Sequence, residues 1–508
     1  MPRAPARRPG GPEAAILVLA GLVAAQYAWN ALTLPPLIGY DAPGHAGHAL
    51  TLLREGRLPH PLEGWSTFHP PLYYALSAAV WWLLEPLGPG ALAAGLRAPG
   101  ALAWLAAGWI AWRCARHLGA LPAVALAAAA GVWLVPSNQF AAVMIGNEAL
   151  AAAIAGFAVP ALLRLQDDPG DRRAALAAGL LAGLALAAKY SGFWVAAGAA
   201  VPWLRRGIGR REIGAAAAGA AVAVAVAGPI YLRNAVLTGT PVPMTRELEP
   251  MRGAEAAFEL RPRRTSDYLT LDPDCFLRPS LYHVAGEPGS YGHLNPAMVH
   301  VFGLVYAGFW YDAFGHRVPI ALHRDGFPLG PLLLALGSVP TLLMLAGLLA
   351  ATASALRRGS TEPLAPLVAM AWLALATFVA FTWRAPSLAA AKASYFLPLA
   401  VPAALFFCRG AALLPPRLRM LGAALSLGAA LAAGLAFTNR VVISPDPSLG
   451  RILVATWTHV DRQLPGAHIG EAVRILYGLE APGEAPGRGA APRPAGRARS
   501  GSGDPGAR

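Results

Sequence analysis

Apolar stretches long enough to cross a bilayer alternate with short polar breaks through most of this chain. Ala174–Ala188, Gly214–Ile230 and Gly330–Leu356 are typical. Each is close to the ~20 residues of one crossing, and inside lipid only helices or closed barrels satisfy the backbone. Alanine and leucine dominate, which favours helix, and the many small residues suit close helix packing in lipid. The predicted fold class is therefore all-α and polytopic, with about eleven spans near 14–34, 96–115, 121–137, 147–165, 174–189, 191–204, 213–231, 328–356, 364–383, 394–412 and 418–437. Composition agrees: of 508 residues, 56% are hydrophobic and only 13% charged, a balance rare in a water-soluble globule.

Polar residues set the topology. Arg3, Arg7 and Arg8 precede the first apolar run, which is long and lacks a clear cleavage site, so residues 1–13 are expected in the cytoplasm before an uncleaved span. Tyr73–Leu84 then poses a fork. If it crosses, every later loop inverts. If it lies along the membrane, Arg113 and Arg116, Arg164 with Arg172 and Arg173, Arg205 with Arg206, Arg210 and Arg211, Arg357 with Arg358, and Arg409 with Arg417 and Arg419 all face inward. The positive-inside bias selects the second solution. Pro70, Pro71, Trp81, Trp82 and the short length also fit an interfacial helix.

The module 14–437 then carries two large outer regions, 35–95 and 232–327. A small outer segment follows at 438–480, with a helix around Glu471–Leu479, and then a Gly/Pro/Ala/Arg tail, 481–508, of disordered composition. The net charge of +14 is spread along the ends of apolar runs. Membrane orientation explains that distribution better than a nucleic-acid partner does. Cys114, Cys275 and Cys408 are far apart and follow no ligand pattern.

With this topology Asp41, His45, His69, Arg97, Asn147, Glu148, Lys189, Tyr190, Arg233, Lys392 and Tyr395 fall at or near the outer surface. Ionisable residues at membrane depth are costly and mark function. Asp41 opens a helical run, where it can cap the helix or accept a proton from a hydroxyl. His45 and His48, three apart, have a spacing compatible with a divalent metal, but with no clear third ligand a metal is not favoured over a substrate contact for His45. Glu148 either complements a helix dipole or faces the same cleft as Asp41. Lys189 either snorkels to headgroups or pairs with a phosphate, a role Arg97 can share. His69 and Tyr73 belong to HPPLYY, whose di-proline fixes the backbone and so aims His69. No glycine-rich nucleotide cradle is present, which argues against a soluble nucleotide donor.

Several short motifs carry a family resemblance: YDAPGHAGHALTLLREGRLP, HPPLYY, GLRAPGALAWLA, AAKYSGF and ASYFLPLAVPAALF. Over roughly residues 14–410 the chain resembles GT-C fold membrane glycosyltransferases, the group of protein O-mannosyltransferases, the aminoarabinose transferase of lipid A and dolichyl-phosphate-mannose mannosyltransferase-like proteins. The resemblance implies a polyprenyl-phosphate-linked sugar donor and inverting transfer on the outer face of a bacterial plasma membrane. It also implies Asp41 as base, with His69, Arg97 and Lys189 near the donor phosphate. Ala42 stands where the family often has a second acid, and Ser394 where many relatives have an arginine, with Lys392 as a possible substitute. Tyr73, Asn147, Glu148, Tyr190 and Tyr395 complete the expected substrate-binding set.

Two other readings compete. A transporter or flippase of lipid-linked sugars would place its ionisable groups near the midplane. An outer-face ligase or polymerase would centre on loop arginines such as Arg246, Arg252, Arg261, Arg263 and Arg264. The sequence leaves the sugar and the acceptor (protein, lipid or glycan) unidentified.

Overall fold

Helices occupy all eleven expected positions in the computed structural model. It describes residues 11–39, 41–204, 208–244, 262–277, 299–311, 329–358, 361–387, 390–438 and 468–479. The tail 481–508, most of 232–327 and 438–480, and Arg246, Arg252 and Arg261 lie outside the described residues. The first half of the chain forms α1 (Gly11–Thr33), α2 (Ala42–Glu55), α3 (Leu72–Leu84), α4 (Pro89–His117), α5 (Pro122–Leu134), α6 (Pro136–Ala142), α7 (Glu148–Asp167), α8 (Arg172–Ala188), α9 (Phe193–Ala200) and α10 (Arg210–Thr238). After two one-turn helices come α11 (Val301–Trp310), α12 (Leu329–Arg358), α13 (Ala365–Arg384), α14 (Ala400–Ala412), α15 (Pro416–Ala436) and α16 (Ile469–Tyr477).

Among the described residues seven helices are long and apolar enough to cross a membrane, and α5 with α6, bent by 56°, make an eighth candidate. The chain is an integral membrane protein. Three expected boundaries shift, each at a proline. The second span begins at Pro89, well before residue 96, because Gly88 takes φ 94° and Pro89 fits the first helical turn. The third stops at Leu134 because Pro136 starts a new helix in another direction. The segment expected as one span at 191–204 is instead a 3-10 turn, the short α9 and a further 3-10 turn containing Pro202.

Alpha-3 has 13 residues. At 1.5 Å per residue it is about 20 Å long, short of the ~30 Å hydrocarbon core. Its outer edge leaves Leu76, Trp82 and Leu83 exposed, as an interfacial helix does.

The main core joins α1, α4, α5, α7, α8, α13 and α14 through alanines and a few large side chains. Trp104 on α4 donates to the Val132 carbonyl and Trp133 on α5 donates back to the Leu105 carbonyl, at 2.9 and 3.0 Å. Alpha-12 and α14 cross with their backbones almost in contact. A Cβ added at Gly347 would lie 1.8 Å from the Phe406 carbonyl, so only glycine fits there.

The basic residues Arg116, His117, Arg164, Arg172, Arg173, Arg210, Arg211, Arg409, Arg417 and Arg419 gather at one set of helix ends. The start of α2, the start of α7, the end of α8 and the entry to Ala393–Ala412 form the opposite set. Asp41, Glu148, Lys189 and Lys392 lie at this second set of ends.

Candidate active site

Asp41 sits in the left-handed region at φ 54°, ψ 16°, where Asp is one of the few non-glycine residues at ease. Its carbonyl starts α2 by accepting from the His45 amide at 3.0 Å, yet its side chain caps nothing. The left-handed turn swings the carboxylate away from the helix. Oδ1 accepts a 3.1 Å hydrogen bond from the Trp65 indole, and Oδ2 lies 3.5 Å from the Lys392 ammonium. The indole can come this close because residue 44, one turn into α2, is glycine. A Cβ there would meet Trp65 at 2.6 Å.

A second ion pair stands beside the first. Glu148 at the start of α7 meets Lys189, just past the end of α8, at 2.8 Å, with both side chains largely buried. The fully buried His45 lies between the pairs. Its Nε2 is 3.9 Å from Glu148 and its Nδ1 is 2.7 Å from the Tyr74 hydroxyl. The Lys189 ammonium also lies 5.9 Å from the centre of the Tyr395 ring. Two carboxylates and two ammonium groups thus cancel in a small, mostly buried volume.

The electrostatics follow from this packing. Burial alone would raise the Asp41 pKa. Lys392, His45, the Trp65 hydrogen bond and Lys189 together outweigh it and hold the group below its ordinary value, ionised. Lys392 is the mirror case: burial opposes its charge, while Asp41, Tyr395 and Glu148 raise its pKa. His45 is pushed below its ordinary value, chiefly by burial and against Glu148 and Asp41.

His48 does not join this group. Its ring stacks on Tyr74 at 3.6 Å and its Nδ1 faces the Ser66 carbonyl at 3.0 Å, so Nδ1 must carry the hydrogen. Burial pushes its pKa down to about 3. His69, 5.6 Å from His45 and stacked on it, is also pushed well below its ordinary value, chiefly by burial. Among the described residues no three or more His, Cys, Asp or Glu side chains are grouped as a metal site.

The structure brings Asp41, His45, His69, Glu148, Lys189, Lys392 and Tyr395 together. Tyr73 packs edge-on behind His45 at 6.2 Å. Tyr190 donates its hydroxyl to the Phe68 carbonyl and lies 6.3 Å from His69. Asn147 reaches from the start of α7 to the Ala188 carbonyl at 3.2 Å, which fixes the end of α8 just before Lys189.

Arg97 is placed differently from the phosphate contact expected of it. Its guanidinium is almost fully buried and donates to the carbonyls of Ala31, Leu34, Pro35 and Pro36, so it clasps the chain that leads from α1 to Asp41. Arg233 does the same for the far side of the loop, donating to the Leu58 and Pro59 carbonyls. Trp65 and Tyr74 were not singled out in the sequence. They lie in an aromatic-rich loop where no spacing distinguishes a hydrogen-bond donor from a packing residue.

Next to Tyr395 the ring of Phe381 lies 5.5 Å away and leads to an open, mainly apolar cavity of about 230 Å³. Met244, Thr377, Ala380, Phe381, Arg384 and Ala385 line it.

No family profile matches the sequence, and no curated protein matches it as a relative. Solved structures do match. The Archaeoglobus fulgidus oligosaccharyltransferase in its apo form aligns with a TM-score of 0.51 at 14% identity, over 91% of this chain and 64% of that one. The same enzyme tethered to an acceptor peptide containing the NVT sequon gives 0.51 at 13% identity, over 92% of this chain and 59% of that one. ArnT from Cupriavidus metallidurans bound to undecaprenyl phosphate gives 0.45 at 16% identity, over 91% and 76%. The chain thus spans less than two thirds of the oligosaccharyltransferase. At these identities what is shared is the fold, and it is the GT-C fold of membrane glycosyltransferases.

Proposed function

We propose that this chain is an inverting glycosyltransferase that moves a sugar from a polyprenyl-phosphate carrier to an acceptor hydroxyl on the outer face of a plasma membrane. One observation carries the reading. A carboxylate released from helix capping and held ionised pairs with one ammonium group, Lys392, and lies within electrostatic reach of a second, Lys189. On the GT-C fold, that set suits displacement of a lipid phosphate.

Asp41 takes the proton of the acceptor hydroxyl as its oxygen bonds to the anomeric carbon. The bond from that carbon to the phosphate oxygen breaks on the opposite face, so a single displacement inverts the centre. The phosphate leaves with the bonding pair, and Lys392 and Lys189 stabilise its growing negative charge. Because the four charged side chains already cancel, an arriving phosphate competes with Asp41 for Lys392 and makes the carboxylate a stronger base. The apolar cavity beside Tyr395 suits the first units of the isoprenoid chain. The sugar and the acceptor are not specified by this geometry.

The assay supplies radiolabelled polyprenyl-phosphate sugar to membranes containing the protein and follows label into lipid, protein or polysaccharide. Asp41→Asn should insert and fold as the parent does and lower transfer by about 10²–10⁴-fold, the usual worth of a general base. Near-parental transfer by that variant would overturn the assignment.

A further inference from the structure

The last described helix, α16, lies far from the reacting groups in sequence but against the element that carries them. Its apolar face, Ile469, Ala472, Val473, Leu476 and Tyr477, is buried against Ala42, Ala46 and Leu50 of α2 and Leu92, Ala93 and Leu96 of α4. Ala42 directly follows Asp41, so α16 backs the first turn of the helix that sets the carboxylate.

Charge fixes the other end of the contact. His468 stands at φ 46°, in the left-handed region where histidine, like aspartate, is among the more common non-glycine residues. Its Nε2 lies 2.8 Å from Glu55 at the end of α2, and its Nδ1 lies 2.9 Å from Glu471 on α16. Arg54 on α2 joins Glu471 at 3.2 Å to Glu85, just beyond α3, at 2.8 Å. Arg57 contacts both Glu55, at 2.6 Å, and Glu63. The groups facing His468 and its partners are thus Glu55, Glu471, Arg54, Arg57 and Glu85, with an excess of acid immediately around the imidazole.

We propose that α16 is a positioning element for Asp41, and that His468 locks it onto α2 by bridging Glu55 and Glu471. Bridging two carboxylates through both ring nitrogens requires the imidazolium, since the neutral ring has one donor only. Burial lowers the His468 pKa, but Glu55 and Glu471 outweigh it and raise the group above its ordinary value. A raised value in the docked state means the lock holds below the free imidazole pKa and is lost as pH rises through the docked pKa. The Arg54 links persist at every pH used, so docking weakens without disappearing. The role in catalysis rests on the function proposed above; the lock itself does not.

The test is hydrogen exchange of the full chain in lipid nanodiscs, corrected for intrinsic rates, over pH 6 to 9. In the parent, protection of Ala42–Glu55 and of Ile469–Tyr477 should fall together as pH rises, by about three- to tenfold, the scale of a part-exposed ion-pair network. His468→Asn tolerates the backbone but carries no charge, and should show the weakened protection already at pH 6. His468→Lys keeps a cation and should remain protected to pH 9. Asp41→Asn should leave this pattern unchanged even if transfer is lost, which separates failure of the lock from failure of the base assignment. A pH-independent parent, a fully protected His468→Asn, or loosening of α16 with α2 still protected would each overturn the proposal.

Discussion

At the scale of single residues, the ionisable groups were legible because they are rare. In a chain with 13% charged residues, an acid or lysine at the end of an apolar run stands out, and Asp41, Glu148, Lys189 and Lys392 do converge. Their pairing was not legible, since it depends on which way each side chain turns. Asp41 shows this well: residue order suits a helix cap, and only the left-handed φ sends the carboxylate elsewhere. The pH dependence follows from its lowered pKa. The acid limb of kcat/KM, which reports the free enzyme, should lie below the ordinary aspartate value, and activity should fall as pH drops through it. Lys392→Gln removes the main opposing charge and leaves burial to act, so the limb should move to higher pH. A pH profile unchanged by that substitution would show that the ion pair does not tune the base.

At the scale of elements, periodicity and apolar length located the helices but not their interruptions. Pro136 and Pro202 divide what composition reads as single spans, and Gly88 with Pro89 starts α4 two turns early. Arg97 was visible as a cation near the start of a span, but the four carbonyls it serves lie on a different helix end and loop, so its partners had no sequence signature. Arg97→Lys keeps the charge and loses the planar fork. It should destabilise the fold by about 2–4 kcal/mol, measured as a shortened half-life at fixed temperature in detergent. Gly410→Val should be at least as harmful, because an added Cβ would sit 1.8 Å from the Leu343 carbonyl where α12 and α14 touch. Normal thermal stability in that variant would mean the two helices can part freely.

At the scale of the whole molecule, the distribution of arginines was the most informative signal. It required Tyr73–Leu84 not to cross, and α3 is too short to do so. The same orientation predicts compartments. In intact cells an impermeant thiol reagent should label Gly90→Cys, exposed at the Asp41 end, and leave Arg173→Cys, at the arginine-rich end, unlabelled until the membrane is opened. Equal labelling of both in sealed cells would reverse the topology. Much of 232–327, the second large outer region, lies outside the described residues, and the acceptor was not legible in the sequence.

The mutual neutralisation of Asp41, Lys392, Glu148 and Lys189 bears on selectivity against inorganic anions. A binding site whose positive groups already have internal counterions gives little reward to a bare ion, which must dislodge a carboxylate and brings no hydrophobic contact of its own. A ligand with a long hydrocarbon tail gains the rest of its affinity from the membrane, so free phosphate should be a poor competitive inhibitor even at concentrations far above those of the lipid carrier.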